Sequence, residues 1–248
     1  VSASAPEGGR GTQDAPFSSL QEGITYALTE GKRTVFVAAG EYRVSEPLRL
    51  EGSLTLQGGF DPADWRQSSD ARATLRLNED LLVEGAAVVV TGGRLTMRRF
   101  SVSGTLGAGG EPAVPHGSEA LSGETPAMLY FNGGVGFLQD LELRASGVSV
   151  LQQQAGDVTL KDLQVTELST GELPLLQVRE GRSVLDGVSL QGAAAGRRAP
   201  LVSVQRGQLL LENAELRPGG GERTVGIQGR DSRLLLRNSS LGTGRGSR

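Results

Sequence analysis

In the second half of the chain, apolar side chains fall in pairs separated by a single polar position, and the pairs recur at a nearly fixed interval. "MLYFNGGVGFLQDLEL", "DVTLKDLQV", "LLQVREGRSVLDGVSL", "LVSVQRGQLLLENAEL" and "VGIQGRDSRLLLRNSSL" share one order, and "VVVTGGRLTMRRFSV" is an earlier member. Two alternating apolar positions lead into a Gly-containing turn; a second pair, one polar turn residue and a third pair follow. The last apolar residue of each unit gives Val102, Leu143, Val165, Leu190, Leu216 and Leu241, spaced 41, 22, 25, 26 and 25 residues apart. The long first gap is one unit plus an insertion at 104–126, "GTLGAGGEPAVPHGSEALSGETP".

Alternation over so few residues predicts short strands with one buried face. Tight hairpins cannot close a unit of three such strands, because the third turn returns the chain to its starting edge. Successive units therefore stack in parallel about 4.8 Å apart, and crossover handedness favours right-handed winding. The expected fold class is all-β: a right-handed parallel β-helix, a solenoid with roughly 22–26 residues per coil. Leu160, Leu163 and Val165 should point inward beneath Leu185, Val188 and Leu190, then Leu211, Ala214 and Leu216, while Lys161, Gln164, Glu212 and Glu215 face water. The unit "VSVLQQQAGDV" at 148–158 puts glutamines where the pattern wants an apolar pair, so a distorted turn or a groove is expected there.

The opening stretch differs from all of this. In "PFSSLQEGITYALTEG", Ser18 or Ser19 caps a helix, Leu20, Ile24, Tyr26 and Ala27 give it an apolar side, and Gly31 ends it. A solenoid's first coil exposes apolar surface and strand edges, so this helix reads as its cap. The domain plan is a flexible tether at 1–10 and one β-helix domain at 11–248, with the cap at about 11–40.

Composition narrows the chemistry. Cysteine is absent, which removes a disulfide framework, a thiolate nucleophile and Cys-type zinc sites. Residues 1–178 carry 13 basic against 22 acidic side chains, whereas 179–248 carry 12 arginines against 6 acids, so the net charge of −3 hides a polarised molecule. The basic end fits an anionic glycan, an acidic partner or another copy. No apolar run approaches the roughly 20 residues of a membrane span. The small-residue start "VSASAPEGGRGTQDAP" is of the kind that follows a removed signal or a lipidated residue upstream.

"GTQDAPFSSLQEGITYAL", "VFVAAGEYRV" and "LTLQGGFDPADW", within residues 11–65, resemble the N-terminal portion of the pectate-lyase-like right-handed β-helix superfamily. More narrowly, they are similar to the DUF1565-type domains of secreted or surface bacterial proteins. The resemblance implies the fold and an extracytoplasmic setting: periplasm, outer surface or medium. It implies no single activity, since the superfamily includes lyases, hydrolases, adhesins and structural members. The strings "NTD", "GHG", "RIK" and "WxDH" of its familiar active sites do not occur.

Candidate chemistry is sparse. Arg99, Asp140, Asp162, Gly187, Asn213 and Asn238 share one turn slot. Asp140 and Asp162 on successive coils, near 5 Å apart, match the separation of a retaining glycosidase pair or a small calcium site, with Arg99 or Arg144 alongside. The preferred account is structural, because Asp and Asn suit a tight turn. His116 lies in the insertion without a partner nucleophile or ligand cluster. Trp65 either packs beside Phe60 or stacks on a sugar ring. "GGRGT" and "RPGGGER" lack the phosphate-loop pattern. Few aromatics and no interleaved stacking residues argue against nucleic acid. No metal or cofactor is expected. The function expected is a non-enzymatic scaffold, binding or adhesion module of a bacterial envelope. It would contact protein partners or an anionic surface through Arg217, Arg230, Arg233, Arg237, Trp65 and His116, and would self-associate through its last coil. The alternative is a polysaccharide lyase or glycoside hydrolase using the acids above.

Overall fold

In the computed structural model, residues 1–68, 70–106, 126–169, 173–193, 199–219 and 225–242 are described. Helix Leu20–Thr29 leads into strands Thr34–Ala38, Gly40–Val44 and Leu48–Leu50, which form the first winding. Later windings follow the same ladder order, with segments joined into longer strands at Arg94–Thr105, Ala127–Ser146 and Ser149–Glu167, and all ladder pairings are parallel. One inward row runs Val35, Leu56, Met97, Leu138, Leu160, Leu185, Leu211, Leu236. A second runs Tyr42, Leu75, Val102, Leu143, Val165, Leu190, Leu216, Leu241. The third runs Leu48, Val88, Leu129, Leu151, Leu176, Val202, Ile227.

The six anchors of the sequence repeat are therefore direct register partners, one per winding. Fully burying each large aliphatic side chain in these rows is worth about 1.5–3 kcal/mol. The interior from Val35 to Leu216 is one continuous apolar cluster. Strands end at Thr105 and resume at Ala127, bracketing the insertion. Most of that insertion, His116 included, lies outside the described residues.

The shared turn slot has a conformational cause. Arg99, Asp140, Asp162, Asn213 and Asn238 have φ between 46° and 60°, and Gly187 has φ 65°. This left-handed geometry costs most L-residues roughly 1–2 kcal/mol, with Asn and Asp penalised less because their short polar side chains bond locally. A second slot stacks glycines: a Cβ on Gly156 would lie 2.3 Å from the Gly134 carbonyl oxygen, and one on Gly181 would lie 2.1 Å from that of Gly156. Only glycine permits the windings to approach so closely at this corner.

The structure adds detail at four places. The glutamine unit carries the distortion expected of it, because the pairing register shifts beside it between Phe131, Asn132 and Val135. Gln153 itself turns inward in register with Phe131 and Val178 and is buried. Its amide donates to Gly156 O at 2.6 Å and Arg182 O at 3.2 Å, and its carbonyl accepts from Ser183 Oγ. A polar side chain is tolerated there because its hydrogen bonds are met. Ser19 caps the helix through Glu22 N, but Tyr26 stands 41% exposed, and Leu20, Gly23, Ile24 and Ala27 form the buried face. The start of the expected tether is packed: Val1 and Ser2 are buried, the Val1 nitrogen donates to Phe36 O, and Ala38 N donates to Val1 O. Finally, a short helix at Glu79–Glu84 buries Leu81 and Leu82 beneath the second winding. It is too short for its period to show in the sequence.

Candidate functional site

Asp140 and Asp162 occupy the same slot on neighbouring windings, since Gln139 pairs with Lys161 and Leu141 with Leu163. The adjacency the spacing predicts is real, but its chemistry differs from that of an open carboxylate pair. Arg72 Nη2 donates to Asp140 Oδ1 at 2.6 Å, and Nη1 donates to the Asp140 carbonyl oxygen at 2.6 Å. Arg72 Nε also lies 3.1 Å from Glu142 Oε1, and Arg99 Nε lies 3.6 Å from Asp140 Oδ2. Arg99 in turn donates to Ser68 O at 2.7 Å.

Both oxygens of Asp140 thus face guanidinium groups of the same chain, and the cluster ties the loop before strand Ala73–Leu77 to windings further along. The planar fork of arginine suits this simultaneous grip on a carboxylate and a carbonyl. Asp162 is exposed and outside the cluster. Arg144 is exposed and makes no ion pair among the described residues. Arg72 and Glu142 went unrecognised in the sequence, because Arg72 acts 68 positions away from Asp140 and no local pattern announces it.

The arginines of the basic end do not converge. Arg217 is paired with Glu215 at 2.6 Å, and Arg230 lies 3.8 Å from Asp231. Arg233 follows Asp157, Arg182 and Gln208 in one outward row, and Arg237 follows Lys161, Asp186 and Glu212 in another. Acids interleave with the cations, which moderates the field of this end. Between the two arginines, Leu234, Leu235 and Leu236 are 37–41% exposed. Among the described residues, no three His, Asp or Glu side chains converge as metal ligands, and no helix is long and apolar enough to cross a membrane.

Trp65 lies at the opposite end. Its ring centroid is 6.3 Å from that of Phe60, so the first of the two sequence alternatives, packing beside Phe60, is present. Phe60 meets Phe36 edge-on at 5.2 Å, and Phe17 meets Tyr26 at 5.2 Å. These five rings line one open cavity of about 690 Å³ between the cap helix and the first two windings. The turn "DPADWR" closes through Trp65 N to Asp61 O and Asp61 N to Arg66 O, both 2.9 Å, and holds Trp65 at φ 56°. A bulky residue with that φ is a strained exception. Single aromatics were visible in the sequence, but their convergence depends on the winding.

No protein-family model matches the chain, and no curated protein does. Two crystal structures of pectin methylesterase from Aspergillus niger share its shape. The deglycosylated form gives a TM-score of 0.51 at 14% identity over 94% of this chain and 89% of that one. A penultimately deglycosylated form gives 0.52 at 14% identity over 97% and 92%. At such identity the likeness speaks to fold alone: this chain is a right-handed parallel β-helix.

Proposed function

We propose that the chain is a non-enzymatic, extracytoplasmic β-helix module of a bacterial cell envelope that binds and scaffolds without turning over a substrate. The observation that carries this is the engagement of Asp140 by Arg72 and Arg99, at 2.6 and 3.6 Å. A general acid or nucleophile needs a carboxylate open to substrate, and the candidate residue is committed to holding windings together. The exposed leucines between Arg233 and Arg237 support docking of an acidic protein partner or a second copy on the last winding. Purified protein incubated with pectin, pectate and other acidic polysaccharides should release no reducing ends, unsaturated uronates or methanol; sustained release of any of them would defeat the proposal.

A glycan-active enzyme is the second reading. It draws on the overall likeness to two pectin methylesterase structures and on the one-winding separation of Asp140 and Asp162. If it holds, Asp162→Asn abolishes turnover while the far-UV spectrum is unchanged.

A further inference from the structure

The aromatic cavity beside the cap is a site that neither reading uses. Half of the ten aromatic residues of the chain line it: Phe17, Tyr26, Phe36, Phe60 and Trp65. Phe36 is 52% exposed, so a large apolar surface stays in water at a place where a monomer would ordinarily bury it. Arg10, Lys32 and Arg33 stand at the same cavity, and no acidic residue lines it. None of these three cations has an ion-pair partner among the described residues, unlike Arg72, Arg76, Arg206 and Arg217. Trp65 reaches the cavity from a backbone conformation that most residues avoid, and strain of that kind is retained where position matters.

The occupant follows from shape and charge. Rings inclined at 54°, 76° and 39° to one another present no parallel slot of the sort that sandwiches a flat base. They do present separate faces, each negative at its centre, to the weakly positive C–H faces of puckered sugar rings. Thr12, Gln13 and Thr34 add hydrogen-bonding groups on the wall. Three unpaired cations ask for negative charge on the ligand. A volume of about 690 Å³ falls within the range of small-ligand sites.

The geometry points to a binding site for a short anionic oligosaccharide, its sugar rings on Trp65, Phe36 and Tyr26 and its carboxylates or sulfates at Lys32, Arg33 and Arg10. This rests on the reading of the chain as a binding module and gives that module a ligand class. The site lies at the capped end, and Arg72, Arg99, Asp140 and Glu142 are not among the residues that line it.

Trp65 is the only tryptophan, so its fluorescence reports on this site alone. Trigalacturonate and a sulfated disaccharide distinguish carboxylate from sulfate as the source of charge, and saturable change with either supports the site. Maltotriose should bind at least about tenfold more weakly, and raised salt should weaken the anionic ligands. Calorimetry on the Lys32→Ala/Arg33→Ala double variant and on Trp65→Gly should each show at least about tenfold loss. Glycine suits the left-handed turn, so Trp65→Gly removes the ring without straining the fold. No saturable response to either anionic sugar, equal affinity for maltotriose, tighter binding of adenosine monophosphate, or undiminished binding by both variants would overturn the inference. Binding accompanied by cleavage would instead defeat the non-enzymatic proposal and leave the ligand class standing.

Discussion

At the N-terminal end, helix Leu20–Thr29 and the segment from Val1 lie over the first winding, so that Val35 and Ile24 are buried. At the last winding, Leu234, Leu236 and Leu241 stand partly exposed, although they continue rows that are buried one winding earlier. The same side chain in the same row therefore has a different energetic weight according to what covers it. Aromatic content follows the same division: five rings gather at the cap, and no aromatic residue occurs after Phe137. Phe100 and Phe131 are still buried in the middle windings, and aliphatic rows alone suffice in the windings after Phe137.

The sharpest way to break this comparison is to truncate one row at two places. Leu160→Ala, with windings on both sides, should cost about 2–5 kcal/mol of stability, and Leu236→Ala in the same row under about 1 kcal/mol. Urea unfolding midpoints measure both, and equal losses would mean that the last winding is covered after all. The glycine corner comes next. Gly181→Ala brings a Cβ against the Gly156 carbonyl at φ 91° and should cost about 1–3 kcal/mol, whereas Gly31→Ala, with open space around its Cβ, should cost less. Thermal melts of the two variants test this.

Polar groups inside the solenoid give a smaller net effect, because the loss is partly offset. Gln153→Leu strips the partners of Ser183 Oγ, Gly156 O and Arg182 O and should cost about 1–3 kcal/mol, against the gain of an apolar residue in an otherwise apolar row. A stabilised variant would show that the amide network contributes nothing. At the cap, Tyr42 donates its hydroxyl to Ala38 O at 2.9 Å and accepts from Ala3 N at 3.1 Å. Burial pushes its pKa up to about 12, and the folded state therefore favours the protonated phenol. The associated stability is present below the ordinary value of 10.0 and declines as pH rises from there through about 12. Tyr42→Phe should flatten that alkaline decline in denaturant titrations run across the window. An unchanged slope would remove Tyr42 as its source.

Much of the winding was legible because it is periodic. Register in a parallel solenoid depends on one repeated spacing, so Val102, Leu143, Val165, Leu190, Leu216 and Leu241 could be aligned without knowing any contact. The turn slot holding Asp140 and Asn213 was also visible as a polar position, although its cause, a left-handed backbone, emerges only from the dihedral angles. What stayed hidden depends on non-repeating contacts. Arg72 meets Asp140 across 68 residues from a loop without a pattern. Gln153 looks unsuited to an interior until Ser183, one winding on, supplies its partner. Phe17 and Trp65 are far apart in the chain and come to one cavity only after the cap folds back.

Cross-linking tests the stacking of neighbouring windings most directly, and the natural absence of cysteine makes it clean. Thr159 and Val184 are register partners with side chains on the same outward face, while Leu185 points inward. Parallel neighbours about 4.8 Å apart fall within disulfide reach. The Thr159→Cys/Val184→Cys variant should therefore oxidise rapidly to an intramolecular disulfide, and Thr159→Cys/Leu185→Cys should not. Equal cross-linking of the two pairs, or of the second alone, would contradict the register on which the whole solenoid depends.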